Sequence, residues 1–152
     1  MELVRRLGGS PERHTILKGF FDLRIALRSL GMVAGFQWLD GSFVEDIEMT
    51  GERAPRDIDV VTFFHPVPSV PANHPLVPIL TDRLESKRRF HVDHILAPLD
   101  SRPEDLVDDA RYWYGLFSHR RDEVWKGLVQ IELNTPADDA QACDELNRAG
   151  VT

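Results

Sequence analysis

Apolar residues recur at helical spacing early in the chain, at Ile16, Phe20, Leu23, Leu27 and Leu30. A period near 3.6 predicts one helix with a single buried stripe. Ser10 suits its cap, Pro11 its first position and Gly31 its end. Residues 1–9 include the Gly8-Gly9 joint and are expected to form a flexible N-terminal segment. The period then shortens. A strand is expected over 36–40, stopped by Gly41-Ser42, followed by a short helix over 43–49 and a polar loop over 50–56. Residues 57–64 are rich in β-branched and aromatic side chains and predict the strongest strand of the chain.

Prolines at 66, 68, 71, 75 and 78 bar regular structure throughout 65–78, so a long exposed loop is expected there. A helix over 79–87 and a strand over 90–97 follow, the latter closed by Pro98. A helix over 103–116, a strand over 127–133 and a last helix over 137–148 complete the pattern. The alternation predicts one α/β (α+β) domain over 1–152, a mixed sheet flanked by helices.

A chain of 152 residues suits one domain with a substantial core. The net charge of -7 repels phosphate backbones and disfavours a nucleic-acid partner. Lys87-Arg88-Arg89 and Arg120-Arg121 are the dense basic segments, and a solvated helix end or loop is the favoured reading of each. The single Cys143 allows no intramolecular disulfide and too few thiolates for a cysteine zinc site. No run approaches the roughly 18 apolar residues of a membrane span, and the first residues lack a secretory signal. A cytoplasmic protein is expected.

The candidate chemistry begins with Asp57 and Asp59. On a strand, residues i and i+2 share a face, so these two carboxylates project side by side. Their repulsion is relieved by a hard divalent cation such as Mg²⁺ or Mn²⁺. Asp93 lies on a later strand with His91 and Ile95 on its face, and it converges with the first pair if the strands are neighbours. His91 would then line the pocket, whereas His94 would point to the opposite face. Gly41-Ser42 ends one strand and opens a helix, a place where a phosphate can approach the main chain. Lys126, just ahead of the last strand, can reach a phosphate. Ser42 lacks the second glycine of a hydrolase nucleophile elbow, Trp38 is expected in the core and Trp113-Tyr114 to pack at a helix end, and no base platform is expected from these with Phe117 and Trp125.

The order Gly41-Ser42, then Asp57-Ile58-Asp59-Val60, then Asp93 resembles the signature of the DNA polymerase β-like nucleotidyltransferase superfamily. The phrases Trp38-Leu39-Asp40-Gly41-Ser42-Phe43-Val44 and Asp57-Ile58-Asp59-Val60-Val61 are also similar to a bacterial family of small nucleotidyltransferase-like proteins. Trp113-Tyr114-Gly115-Leu116-Phe117 and Trp125-Lys126-Gly127 extend that likeness. The resemblance implies a nucleotidyltransferase fold, with Asp57, Asp59 and Asp93 catalytic and holding Mg²⁺ or Mn²⁺. It implies Gly41 and Ser42 on the phosphates of a nucleoside triphosphate, ATP foremost. It implies transfer of a nucleoside monophosphate to a hydroxyl of a protein or small molecule, as in antitoxin-type enzymes acting on a toxin-like partner. Glu45, Asp46 and Glu48 follow Ser42 where such enzymes carry a basic residue. That acidic run favours a rival, a non-catalytic nucleotide- or partner-binding protein of the same fold. A homodimer would help so small a chain close its cleft.

Overall fold

The computed structural model describes residues 2–49, 53–68, 70–120 and 122–149. Its elements are α1 (Glu2–Leu7), α2 (Pro11–Ser29), β1 (Gly35–Asp40), β2 (Ile58–Phe64), α3 (Leu76–Thr81), α4 (Arg83–Phe90), β3 (Val92–Pro98), α5 (Pro103–Phe117), β4 (Val129–Glu132) and α6 (Pro136–Ala149). The four strands form one mixed sheet in the order β3-β2-β1-β4. β1 runs antiparallel to both β2 and β4, while β2 and β3 are parallel and joined through α3 and α4. The expected mixed α/β architecture is present.

Several local expectations are corrected. Part of the N-terminal segment expected to be flexible, Glu2–Leu7, is helical and buries Val4 against the core. In place of a helix over 43–49 there is a 3-10 turn at Ser42–Val44, where Glu45 is already extended. The loop over 65–78 ends early, because α3 starts at Leu76 and tolerates Pro78 in its first turn, where the missing N–H has no intrahelical partner anyway. The helix expected over 79–87 is two helices. Asp82 takes an extended conformation, and its carboxylate caps α4 by accepting from the N–H groups of Leu84 and Glu85. The strand expected over 90–97 starts at Val92, because Phe90 ends α4 and His91 is its left-handed C-cap. Thr50, Gly51, Glu52, Arg121 and Gly150 lie outside the described residues.

The period of two along each strand separates the faces of the sheet. Leu39, Ile58, Val60 and Val92 face the main core with Leu17, Phe20, Leu23 and Leu27 of α2, with α6 also contributing through Ala142 and Leu146. A polar chain crosses this apolar layer. Arg24, fully buried, donates to Asp139 of α6 at 2.8 Å and to Gln37 Oε1 at 2.5 Å. Because arginine donates and never accepts, Gln37 turns its amide nitrogen to Thr62 Oγ1, 2.9 Å away. The Thr62 hydroxyl is then left to donate to His94 Nε2 at 2.8 Å, and His94 Nδ1–H donates to the Leu80 carbonyl at 3.0 Å. Burial pushes the His94 imidazole down to about 4, so it is neutral in this chain of bonds.

The other face carries Phe36, Trp38, Val61, Phe63, Ile95 and Ala97 and is covered by α5 through Trp113 and Phe117. Trp38 stands edge-on to Phe63 and Tyr114. Phe117 is the one buried residue of α5, so this layer is thinner than the one opposite. Among the described residues no helix is long and apolar enough to cross a membrane.

Candidate functional site

Strand pairing sets Asp40, Asp59 and Asp93 abreast on three adjacent strands. Asp40 is the register partner of Asp59 across the antiparallel pair, and Asp59 that of Asp93 across the parallel pair. All three lie on the α5 face, just beyond the row of Trp38, Val61 and Ile95. Asp57 immediately precedes β2. Lys87 Nζ joins it to the row, lying 2.8 Å from Asp57 Oδ2 and 3.5 Å from Asp93 Oδ2. Arg83, one helical turn before Lys87, grips Asp93 with both arms of its guanidinium, at 2.6 and 2.9 Å.

Gly41 closes the site from the β1 side. Its φ is +84°, and a Cβ there would stand 2.2 Å from Asp59 Oδ2. Glycine is required both by the backbone conformation and by the carboxylate packed against it. Ser42 opens the 3-10 turn. Lys126 reaches the same corner, with Nζ 3.0 Å from Asp40 Oδ1 and 3.5 Å from Glu45 Oε1. Arg120 adds a second cation, 3.4 Å from Glu45 Oε2. A three-residue turn provides no helix dipole, so the expected helix N-terminus behind Gly41-Ser42 is absent.

The electrostatics differ along the row. Burial, then the charges of Asp93, Asp57 and Asp40, push the Asp59 carboxyl up to about 6, against a smaller opposing pull from Lys87. Burial also raises Asp40, and the Gly41 N–H and Lys126 offset part of that rise. For Asp93 burial pulls upward, but the Arg83 hydrogen bond and charge, with those of Lys87, outweigh it and hold the carboxyl below its ordinary value. Lys87 is raised chiefly by its bond to Asp57, and Arg83 chiefly by its bond to Asp93.

The sequence-predicted carboxylates Asp57, Asp59 and Asp93 thus share one site with Gly41, and Lys126 reaches it through Asp40. The donors are carboxylate oxygens, the ligand chemistry of Mg²⁺ and Mn²⁺. Among the described residues no three His, Cys, Asp or Glu side chains are already arranged around a metal position. Lys87 and Arg83 neutralise the carboxylates instead. The histidines take other roles: His91 is an exposed helix cap and not a strand residue beside Asp93, and His94 is buried in the core.

Sequence reasoning missed Asp40, Arg83 and the site role of Lys87. Asp40 carried one signal, its place beside Gly41 at a strand end. The four-residue spacing of Arg83 and Lys87, which puts them on one helix face, carried another.

No curated protein and no solved structure matches the chain. One family model, that of a family of unknown function (DUF6932), matches residues 1–132, a span that holds all four strands and every carboxylate of the site. On that match the chain belongs to the DUF6932 family.

Proposed function

We propose that the chain is a metal-dependent nucleotidyltransferase-like protein that transfers a nucleoside monophosphate from a nucleoside triphosphate to an acceptor hydroxyl. The observation that carries this reading is the aligned row of Asp40, Asp59 and Asp93 with Asp57 beside it, where burial and then the charges of the neighbouring carboxylates push Asp59 up to about 6. Like charges so placed are held more easily around a divalent cation than without one. Asp57, Asp59 and Asp93 would hold Mg²⁺ or Mn²⁺. Bound there, the metal supplies charge neutralisation at the attacking and leaving oxygens of an in-line displacement. The open side of Gly41 is taken by the Asp59 carboxylate, and at the same corner Ser42 would add a hydroxyl donor to a phosphate. Lys126 and Arg120 bring positive charge to that corner. Asp93, held below its ordinary range by Arg83 and Lys87, is the weaker proton acceptor, and Asp59, like Asp40, is a carboxylate whose basicity burial raises. The acceptor is a protein or a small molecule, in keeping with the acidic balance of the chain. A cytoplasmic setting, where ATP is abundant and the lone Cys143 stays reduced, suits this reading.

A second reading, a nucleotide- or partner-binding protein of the same fold without turnover, is favoured by one observation. Lys87 and Arg83 already pair with the carboxylates, and acidic Glu45 stands where a triphosphate-binding cation would help. Calorimetry of ATP, GTP, CTP and UTP with and without Mg²⁺ tests the site, and Mg²⁺-dependent release of pyrophosphate from the bound triphosphate separates turnover from binding alone. Metal-dependent binding to the parent, lost in Asp57→Ala/Asp59→Ala while the circular dichroism spectrum is retained, is the expected result. Equal binding by parent and double variant would refute the site, and no nucleotide binding at all would favour the partner-binding form of the second reading.

A further inference from the structure

This inference rests on the metal-binding reading above and concerns how the site is kept before a metal arrives. The ammonium of Lys87 stands between oxygens of two carboxylates drawn from separate elements, Asp57 ahead of β2 and Asp93 on β3. A divalent cation would compete with the ammonium for the same carboxylate oxygens. The two sides of the contact differ in freedom. The Lys87 side chain is 41% exposed, with an open route to solvent, whereas those of Asp57 and Asp93 are 22% and 13% exposed and anchored at the sheet end. Arg83 need not leave with the lysine, because each oxygen of Asp93 has a second lone pair beyond the guanidinium bond.

We propose that Lys87 is a tethered counter-ion that a divalent metal displaces from Asp57 and Asp93 when it enters the site. The lysine holds the carboxylates together in the metal-free protein and sets a threshold of metal concentration for loading. Once displaced, its ammonium stays on a short tether beside the metal and is free to meet an anionic ligand, so metal loading and anion binding reinforce one another.

The test is Mn²⁺ binding by the full chain without nucleotide, read from the loss of the free-ion electron paramagnetic resonance signal. Lys87→Met keeps the length of the stem and removes the charge, and Lys87→Gln repeats the comparison with a polar side chain should methionine disturb the fold. Removing this one half-exposed competing cation is expected to tighten Mn²⁺ binding about fivefold, with Asp59→Asn weakening binding in either background. Equal or weaker binding by the Lys87 variants, still sensitive to Asp59→Asn, overturns the counter-ion role and leaves the metal site standing. Tighter binding that Asp59→Asn does not alter puts the metal elsewhere and also overturns it. No binding by parent or Lys87 variants removes the metal site, and the counter-ion role goes with it.

Discussion

Asp59 is the residue at which the chemistry of this site meets the stability of the fold. Its carboxyl is pushed up to about 6 by burial and by three neighbouring carboxylates. From its ordinary value up to about pH 6 the folded chain therefore keeps a proton that the unfolded chain has released. Stability from this group falls as pH rises through that window, a loss on the order of 2–3 kcal/mol by neutral pH. His94 acts in the opposite sense. Its imidazole is lowered to about 4 by burial, so its contribution is lost as pH falls from about 6.5 toward 4. Asp59→Asn isolates the first effect. Relative to the parent, the variant should gain about 1 kcal/mol more at pH 7.5 than at pH 5 in urea unfolding with EDTA present. An identical difference at both pH values would mean that Asp59 is not strained. At this scale Asp57, Asp59 and Gly41 were legible, because a two-residue spacing and a glycine at a strand end carry their geometry locally, while Asp93 was legible only on the condition that its strand pairs with β2. Asp40 was not, because its place opposite Asp59 exists only once β1 returns antiparallel to β2.

Among the elements, α4 has the largest influence on the site, since it delivers Arg83 and Lys87 to the carboxylates. Its direction is set by the break at Asp82, whose carboxylate takes the N–H groups of Leu84 at 2.8 Å and Glu85 at 3.3 Å. Asp82→Ala should destabilise the protein by about 1 kcal/mol, the usual worth of an N-cap, measured by thermal or urea unfolding. A change within error would show that Arg83 and Lys87 hold α4 without the cap. The long regular elements were readable: α2 from its apolar stripe and Ser10 cap, β2 from its β-branched run. The split between α3 and α4 was not, since a helical pattern over 79–87 does not reveal that Asp82 spends its side chain on a new cap. The 3-10 turn was hidden in the same way. Apolar Phe43 and Ile47 are spaced as in a helix, yet Phe43 is buried from a single turn.

For the molecule as a whole, the two sides of the sheet are unequal. α2 buries ten residues, from Arg13 to Leu27, whereas α5 buries Phe117 alone. Local opening should therefore begin on the α5 side. Amide hydrogen exchange in the native state is expected to be faster across α5 than across α2, by about tenfold or more. Equal protection would show that Trp113 and Phe117 bind the helix more firmly than their burial suggests. The acidic row sits on this thinner side, but what aligns it is on the other. The hydrogen bonds from Arg24 through Gln37, Thr62 and His94 to Leu80 run in a single direction. A slip of one residue between β2 and its neighbours would turn Thr62 outward and strand the amide of Gln37 and the Nε2 of His94 in hydrocarbon. The chain of bonds is thus a proofreader for the sheet. It accepts the one pairing in which Asp40, Asp59 and Asp93 stand level, and it does so from beneath the sheet without touching any of them.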